Sequence, residues 1–171
     1  MSCPCPYKRR MKHLESHFQM FLTRFTFLLL LLILGIAKAN INEILGNRTV
    51  KSTVYGTYLA TNFINQVIMT NNTPSEWEQW TIQEVQGGKV TLLQWGTMTI
   101  KRYYLRADWN ELVNLADSAS DWEKWTPSKN ADGSWSFLSY HNKWLSAMEG
   151  GSVYQKQVHE AWGNFWVGPV Q

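Results

Sequence analysis

Beyond residue 5 the chain contains no cysteine, since its two, Cys3 and Cys5, both stand at the extreme N-terminus. A disulfide framework, a thiolate nucleophile and a cysteine-ligated zinc are thereby excluded from the rest of the chain. Histidine is almost as scarce, with only His141 and His159 after residue 39. His159 has no second ligand at zinc-site spacing, and His141, in Tyr140-His141-Asn142-Lys143, reads as a solvated turn residue. The sequence has neither a glycine-rich phosphate loop nor a nucleophile elbow. Carboxylates such as Asp108, Asp117, Asp121 and Asp132 are present, but spacing along one chain does not establish the separation a glycosidase pair requires. An enzyme is therefore not expected, nor a metal or cofactor.

Long apolar runs are missing as well. The only extended one, Phe25 to Ala37, is thirteen residues, whereas a helix needs about twenty to span a bilayer. Lys8, Arg9, Arg10, Lys12 and Arg24 precede it, and Ala37-Lys38-Ala39 supplies the small residues a signal peptidase reads. Residues 1–39 are thus expected to be a signal peptide removed before Asn40, with initiation at Met20 and an uncleaved anchor as the alternatives. The remaining 132 residues, 40–171, suit a single domain. That part carries ten basic and twelve acidic residues, with no cationic cluster longer than Lys101-Arg102. Such a balance offers no footprint for nucleic acid or anionic lipid. Asn47-Arg48-Thr49 and Asn71-Asn72-Thr73 match the N-glycosylation acceptor pattern, which places Asn47 and Asn71 on the surface of a secreted chain.

What is abundant is repetition. Tyr58-Leu59-Ala60-Thr61 is followed by Trp77-Glu78-Gln79-Trp80-Thr81, Tyr104-Leu105-Arg106-Ala107 by Trp122-Glu123-Lys124-Trp125-Thr126, and Trp144-Leu145-Ser146-Ala147 by Trp162-Gly163-Asn164-Phe165-Trp166. The leucines lie 46 and 40 positions apart and the first tryptophans 45 and 40, so two landmarks report one period. Three copies are too few for a propeller, which needs about four blades. Between the landmarks, short β-prone runs alternate with turn residues and no helical periodicity is sustained.

Strands are expected near Thr49–Tyr55, Tyr58–Thr61, Val67–Thr70 and Gln79–Val85 in the first repeat, then Val90–Trp95, Tyr103–Ala107, Val113–Ala116 and Lys124–Thr126 in the second. The third repeat gives Trp135–Tyr140, Trp144–Ala147, Val153–Gln157 and Asn164–Val167. Twelve strands in three units of four (about 48–88, 89–133 and 134–171) predict an all-β fold, a β-trefoil with pseudo-threefold symmetry. A β-sandwich is the rival, but gives no reason for a threefold period. Leu59, Leu105 and Leu145 with Trp80, Trp125 and Phe165 are the expected core, and Trp77, Trp122 and Trp162 are expected to be half exposed at the barrel's base.

The pattern of "YLxA", then "WExWT", then a glycine-punctuated strand resembles the fascin-like β-trefoil family over roughly Thr49 to Gln171. The resemblance implies the trefoil fold but no particular ligand, because such trefoils serve both in actin bundling and in secreted or carbohydrate-associated modules. The third repeat departs from it, with Gly163-Asn164 in place of an acidic residue followed by Gln or Lys. The Gln-x-Trp signature of ricin-B-type lectins is not present.

Candidate binding residues come from the loop after each "YLxA" strand, where the copies diverge most. Asn62-Phe63 and Asp108-Trp109-Asn110 each pair an aromatic ring with polar side chains, chemistry that suits the face and hydroxyls of a sugar, whereas Met148-Glu149-Gly150 has lost the ring. Asp108, Trp109 and Asn110 form the primary candidate site and Asn62 and Phe63 a weaker one. Alternatively, these aromatics fold back on the barrel cap. The leading expectation is a secreted, non-catalytic trefoil that recognises a glycan or extracellular glycoprotein. Its alternatives are actin bundling and a receptor ligand or protease inhibitor, for which Asp117-Ser118-Ala119-Ser120-Asp121 is the candidate inhibitory loop.

Overall fold

The computed structural model describes residues 41–71, 73–95 and 101–170, all within the unit Asn40–Gln171. The expected signal peptide and both cysteines lie outside the described residues. Twelve strands follow in chain order: β1 (Gly46–Ser52), β2 (Tyr58–Thr61), β3 (Val67–Thr70), β4 (Gln79–Val85), β5 (Lys89–Trp95), β6 (Arg102–Ala107), β7 (Val113–Ala116), β8 (Thr126–Lys129), β9 (Trp135–Leu138), β10 (Trp144–Ala147), β11 (Val153–Lys156) and β12 (Phe165–Pro169). Single 3₁₀ turns occur at Glu76–Glu78, Glu149–Gly151 and Ala161–Gly163.

Pairing closes six of the strands into a ring. β1 pairs with β4, β4 with β5, β8 with β9, β9 with β12, and β12 returns to β1, all antiparallel. The step from β5 to β8 is a bridge at Val90 and Trp125, whose backbone N–H groups each donate to the other's carbonyl at 2.8 Å. A closed ring leaves no edge in the barrel open to another chain. The other six strands form the hairpins β2–β3, β6–β7 and β10–β11. Their second strands, β3, β7 and β11, meet one another, so the hairpins cap one end about a pseudo-threefold axis. This architecture is the β-trefoil.

Turn chemistry sets the connections. Gly87 and Gly88 both have positive φ, +83° and +70°, in the three-residue turn Gln86-Gly87-Gly88 that closes the hairpin of β4 and β5. β1 begins and ends three residues earlier than expected because Gly46 still pairs with Ile82, while Thr53 to Tyr55 form a turn closed by the Gly56 N–H, which donates to the Ser52 carbonyl. β8 starts later than expected because Lys124 closes a turn, donating its N–H to the Asp121 carbonyl.

The recurring motifs have a structural meaning that their spacing alone does not reveal. Leu59, Leu105, Leu145, Trp80, Trp125 and Phe165 are completely buried, each removal from water contributing roughly 1.5–3 kcal/mol. A buried indole N–H must also find an acceptor. Trp80 Nε1 donates to the Leu59 carbonyl at 2.9 Å and Trp125 Nε1 to the Leu105 carbonyl at 3.0 Å, so the leucine and the later tryptophan are two halves of one contact. The glutamate within each "WExW" is a cap. Glu78 Oε2 accepts from Ser75 N and Oγ, both at 2.8 Å, and Glu123 Oε2 accepts from Ser120 N at 2.6 Å, while both glutamates are buried. In the third repeat the Phe165 ring has no N–H to donate, and Gly163 occupies the glutamate position beneath the His159 ring.

Candidate functional site

The three cap turns share one backbone feature, although the third also has positive φ at the preceding residue, Gly150 (83°). Asn65, Glu111 and Gly151 stand at equivalent places, and all three have positive φ (58°, 72° and 88°). Gly151 is required where it stands, because a Cβ there would lie 2.9 Å from the Met69 carbonyl oxygen. Phe63 and Trp109 occupy the tips of the first two turns and are 73% and 72% exposed. The rings therefore face solvent and do not fold back onto the cap.

Around the first tip lies a cleft of about 240 Å³ between the β2–β3 hairpin and the 3₁₀ turn before β4, with Asn62, Phe63, Thr61, Thr70, Trp77 and Glu78 among its lining residues. Asn62 lines it but is committed to the turn: its Oδ1 accepts from the N–H groups of Ile64 (3.1 Å) and Gln66 (2.9 Å), and its Nδ2 donates to Gln66 Oε1. The threonine hydroxyls in the walls are those of Thr61 and Thr70, since Ser75 Oγ donates to Glu78 Oε2 and accepts from the Trp77 N–H. Trp77, half-buried, is positioned by Gln94 of β5, whose side-chain amide donates to the Trp77 carbonyl. Among the described lining residues Glu78 is the only charged side chain, and its cap bonds to Ser75 hold it there. Sequence reasoning named Asn62 and Phe63 but not Trp77 or Glu78. Only the fold brings residues 62–63 against 75–78.

The second turn is arranged differently. Asp108 Oδ2 accepts from Asn114 Nδ2 at 3.1 Å and lies 4.0 Å from the Arg106 guanidinium, which donates through Nε to Asn114 Oδ1 at 2.7 Å. Asp108 Oδ1 is buried with no hydrogen-bond partner, while Trp109 and Asn110 are exposed. The third repeat pins this turn from below: Gln155 Nε2 donates to the carbonyls of Asp108 (2.7 Å) and Leu112 (3.0 Å), and Lys143 pairs with Glu111 at 2.9 Å. The Lys143 hydrogen bond, and next its charge, hold the Glu111 carboxyl below the usual carboxylate range. His141 Nε2 lies 3.2 Å from the Ala107 carbonyl oxygen, and its ring meets Trp122 edge-on at 5.2 Å. His141 is thus a half-buried part of the repeat junction, a correction to its reading as a solvated turn residue; the cause is packing against Trp122 from the preceding repeat.

His159 Nε2 lies 2.7 Å from Ser136 Oγ, and its ring sits 4.4 Å from that of Trp144. Ser136 is fully buried and also bonded to Asn130 and Asn164, so the pair closes the barrel and presents no accessible nucleophile. Among the described residues no three His, Cys, Asp or Glu side chains converge as a metal site. No described helix is long and apolar enough to cross a membrane.

No family model and no curated sequence matches the chain. Solved structures do. The chain is similar to SeviL bound to asialo-GM1 saccharide, with a TM-score of 0.65 and 14% identity over 74% of this chain and 99% of that one. It is also similar to ThreeFoil, a designed threefold-symmetric protein, with a TM-score of 0.62 and 16% identity over 72% of this chain and 98% of that one. Both likenesses concern the fold, and with the closed six-stranded ring they establish a β-trefoil.

Proposed function

We propose that this chain is a secreted, non-catalytic glycan-binding trefoil, and that its sugar sits in the cleft of the first repeat. The observation that carries the reading is that cleft: an exposed Phe63 and a half-buried Trp77 share about 240 Å³ with threonine hydroxyls. Ring faces pack on the C–H face of a pyranose while hydroxyls meet hydroxyls, which is how a mostly preformed site takes a small polar ligand. The only charge among the described lining residues is the Glu78 carboxylate, so a neutral sugar fits and a carboxylated or sulfated one meets repulsion. The structural likeness to a trefoil solved with a saccharide supports the same class of ligand.

A glycan array run with the secreted domain tests this. Neutral terminal sugars are expected to be bound, with loss of signal in Phe63→Ala and in Trp77→Ala and little change in Trp109→Ala. Signal confined to acidic glycans, or insensitive to Phe63 and Trp77, overturns the reading. A pull-down from extracellular extract separates recognition of a glycoprotein's protein part from recognition of its sugar. The bundling role implied by the fascin-like resemblance needs two filament sites, and co-sedimentation of this single trefoil with actin filaments is expected to be negative.

A further inference from the structure

The pseudo-threefold axis relates two junctions between repeats, and one is plugged where the other is hollow. At the junction of the second and third repeats, Lys143 bonds Glu111 at 2.9 Å, Gln155 bonds the Asp108 carbonyl at 2.7 Å, and His141 reaches the Ala107 carbonyl at 3.2 Å. At the junction of the third and first repeats, the equivalent positions hold Thr57, Gly151, Met69 and Tyr55. These side chains are shorter or uncharged, and a cleft of about 440 Å³ opens there, lined by Tyr55, Thr57, Met69, Asn71, Gly150 and Gly151 among others. A volume of roughly 300–1,000 Å³ is what small-molecule sites provide.

Two observations say what this cleft takes. Thr57 Oγ1 is buried at its wall with no hydrogen-bond partner, an orphan that a native structure tolerates only with an occupant or at a cost. Asn71, exposed, also lines the cleft and is the acceptor of the triplet Asn71-Asn72-Thr73. We propose that Asn71 carries an N-linked glycan whose first N-acetylglucosamine is seated in this cleft, against the Tyr55 ring and the Thr57 hydroxyl, fastening the first repeat to the third. The proposal rests on secretion, as the preceding reading does, and on nothing else in it. Attachment joins Asn71 Nδ2 to the sugar's anomeric carbon. The donor is a lipid-diphosphate oligosaccharide of the secretory pathway; the amide releases one proton and the lipid diphosphate leaves. Tethering explains how so open a site fills: a linked ligand has an effective concentration of order millimolar, so weak contacts suffice. Lys143 and Glu111 do by an ion pair at one junction what the sugar does by stacking and hydrogen bonding at the other.

The test uses the full chain secreted from eukaryotic cells. Peptide mass spectrometry is expected to find Asn71 occupied. Trimming to a single N-acetylglucosamine with an endoglycosidase is expected to leave Tm unchanged, whereas the Asn71→Gln variant is expected to melt about 3 °C lower. Thr57→Val and Tyr55→Ala are each measured in the glycosylated protein and in the Asn71→Gln background. The expected result is a loss in the first that is absent or reduced in the second. An unmodified Asn71 in secreted protein overturns the proposal, as does the same Tm shift in both backgrounds. Sugar binding through Phe63 is read separately on the array and is expected to persist in Asn71→Gln, so either inference can fail without the other.

Discussion

The first and second cap turns have the same backbone and the same exposed aromatic tip, yet they differ in what surrounds the tip. In the first, Asn62 hydrogen-bonds its own turn and leaves a hydroxyl-lined cleft running to Trp77. In the second, Asp108, Asn114 and Arg106 bond one another, and Gln155 and Lys143 of the third repeat hold the turn from beneath. An exposed ring is thus not a site by itself. What decides is whether the neighbouring repeat leaves room for a ligand or fills it.

The largest test of that difference is Gln155→Ala. It removes the hydrogen bonds to the Asp108 and Leu112 carbonyls, of which the second keeps the Asp108 N–H, and leaves a cavity at a buried side chain, and is expected to destabilise the fold by about 2–4 kcal/mol in urea unfolding. Hydrogen exchange is expected to quicken in the second turn and not in the first. Equal loosening of both turns breaks the comparison. Next comes Phe63→Ala, expected to weaken binding of a neutral glycan about tenfold, or about 1.4 kcal/mol, by isothermal titration. If Trp109→Ala costs as much, the second turn belongs to the site after all.

Smaller effects attend Glu111. A glutamate at φ 72° is strained where the third repeat uses glycine, so Glu111→Gly relieves the backbone while losing an exposed ion pair, and a slight rise in Tm is expected. The smallest is a pH effect. Because Lys143 holds the folded Glu111 pKa below that of an unfolded glutamate, about 4.3, its contribution is present above that value and is lost as pH falls through the lower folded one. Acid is therefore expected to loosen the second turn, while the first, with Asn65 at the equivalent place, is indifferent. In Lys143→Met the Glu111 titration followed by NMR is expected to move up to the ordinary range.

Much of this molecule was legible in the chain itself. The threefold spacing of the leucines and tryptophans, with turn residues between them, is a local and periodic signal, and it determined twelve strands and a trefoil because few closed arrangements accept three such units. β2, β3, β4, β7 and β10 run over the residues so read. Strand ends were less accessible, since Gly46 joins β1 through its partner Ile82 in the neighbouring β4.

The candidate site divides the same way. That Phe63 and Trp109 are the ring-bearing turn residues follows from sequence, because each stands four places after its leucine. That the first ring stands over a cleft running to Trp77 was decided by tertiary structure. Trp77 and Glu78 approach Phe63 through a hairpin and a 3₁₀ turn, and Gln155 reaches Asp108 from 47 residues away. Symmetry in a sequence specifies which positions correspond. Which of them stay open is set by side chains from other repeats meeting in space, and no single repeat encodes that meeting.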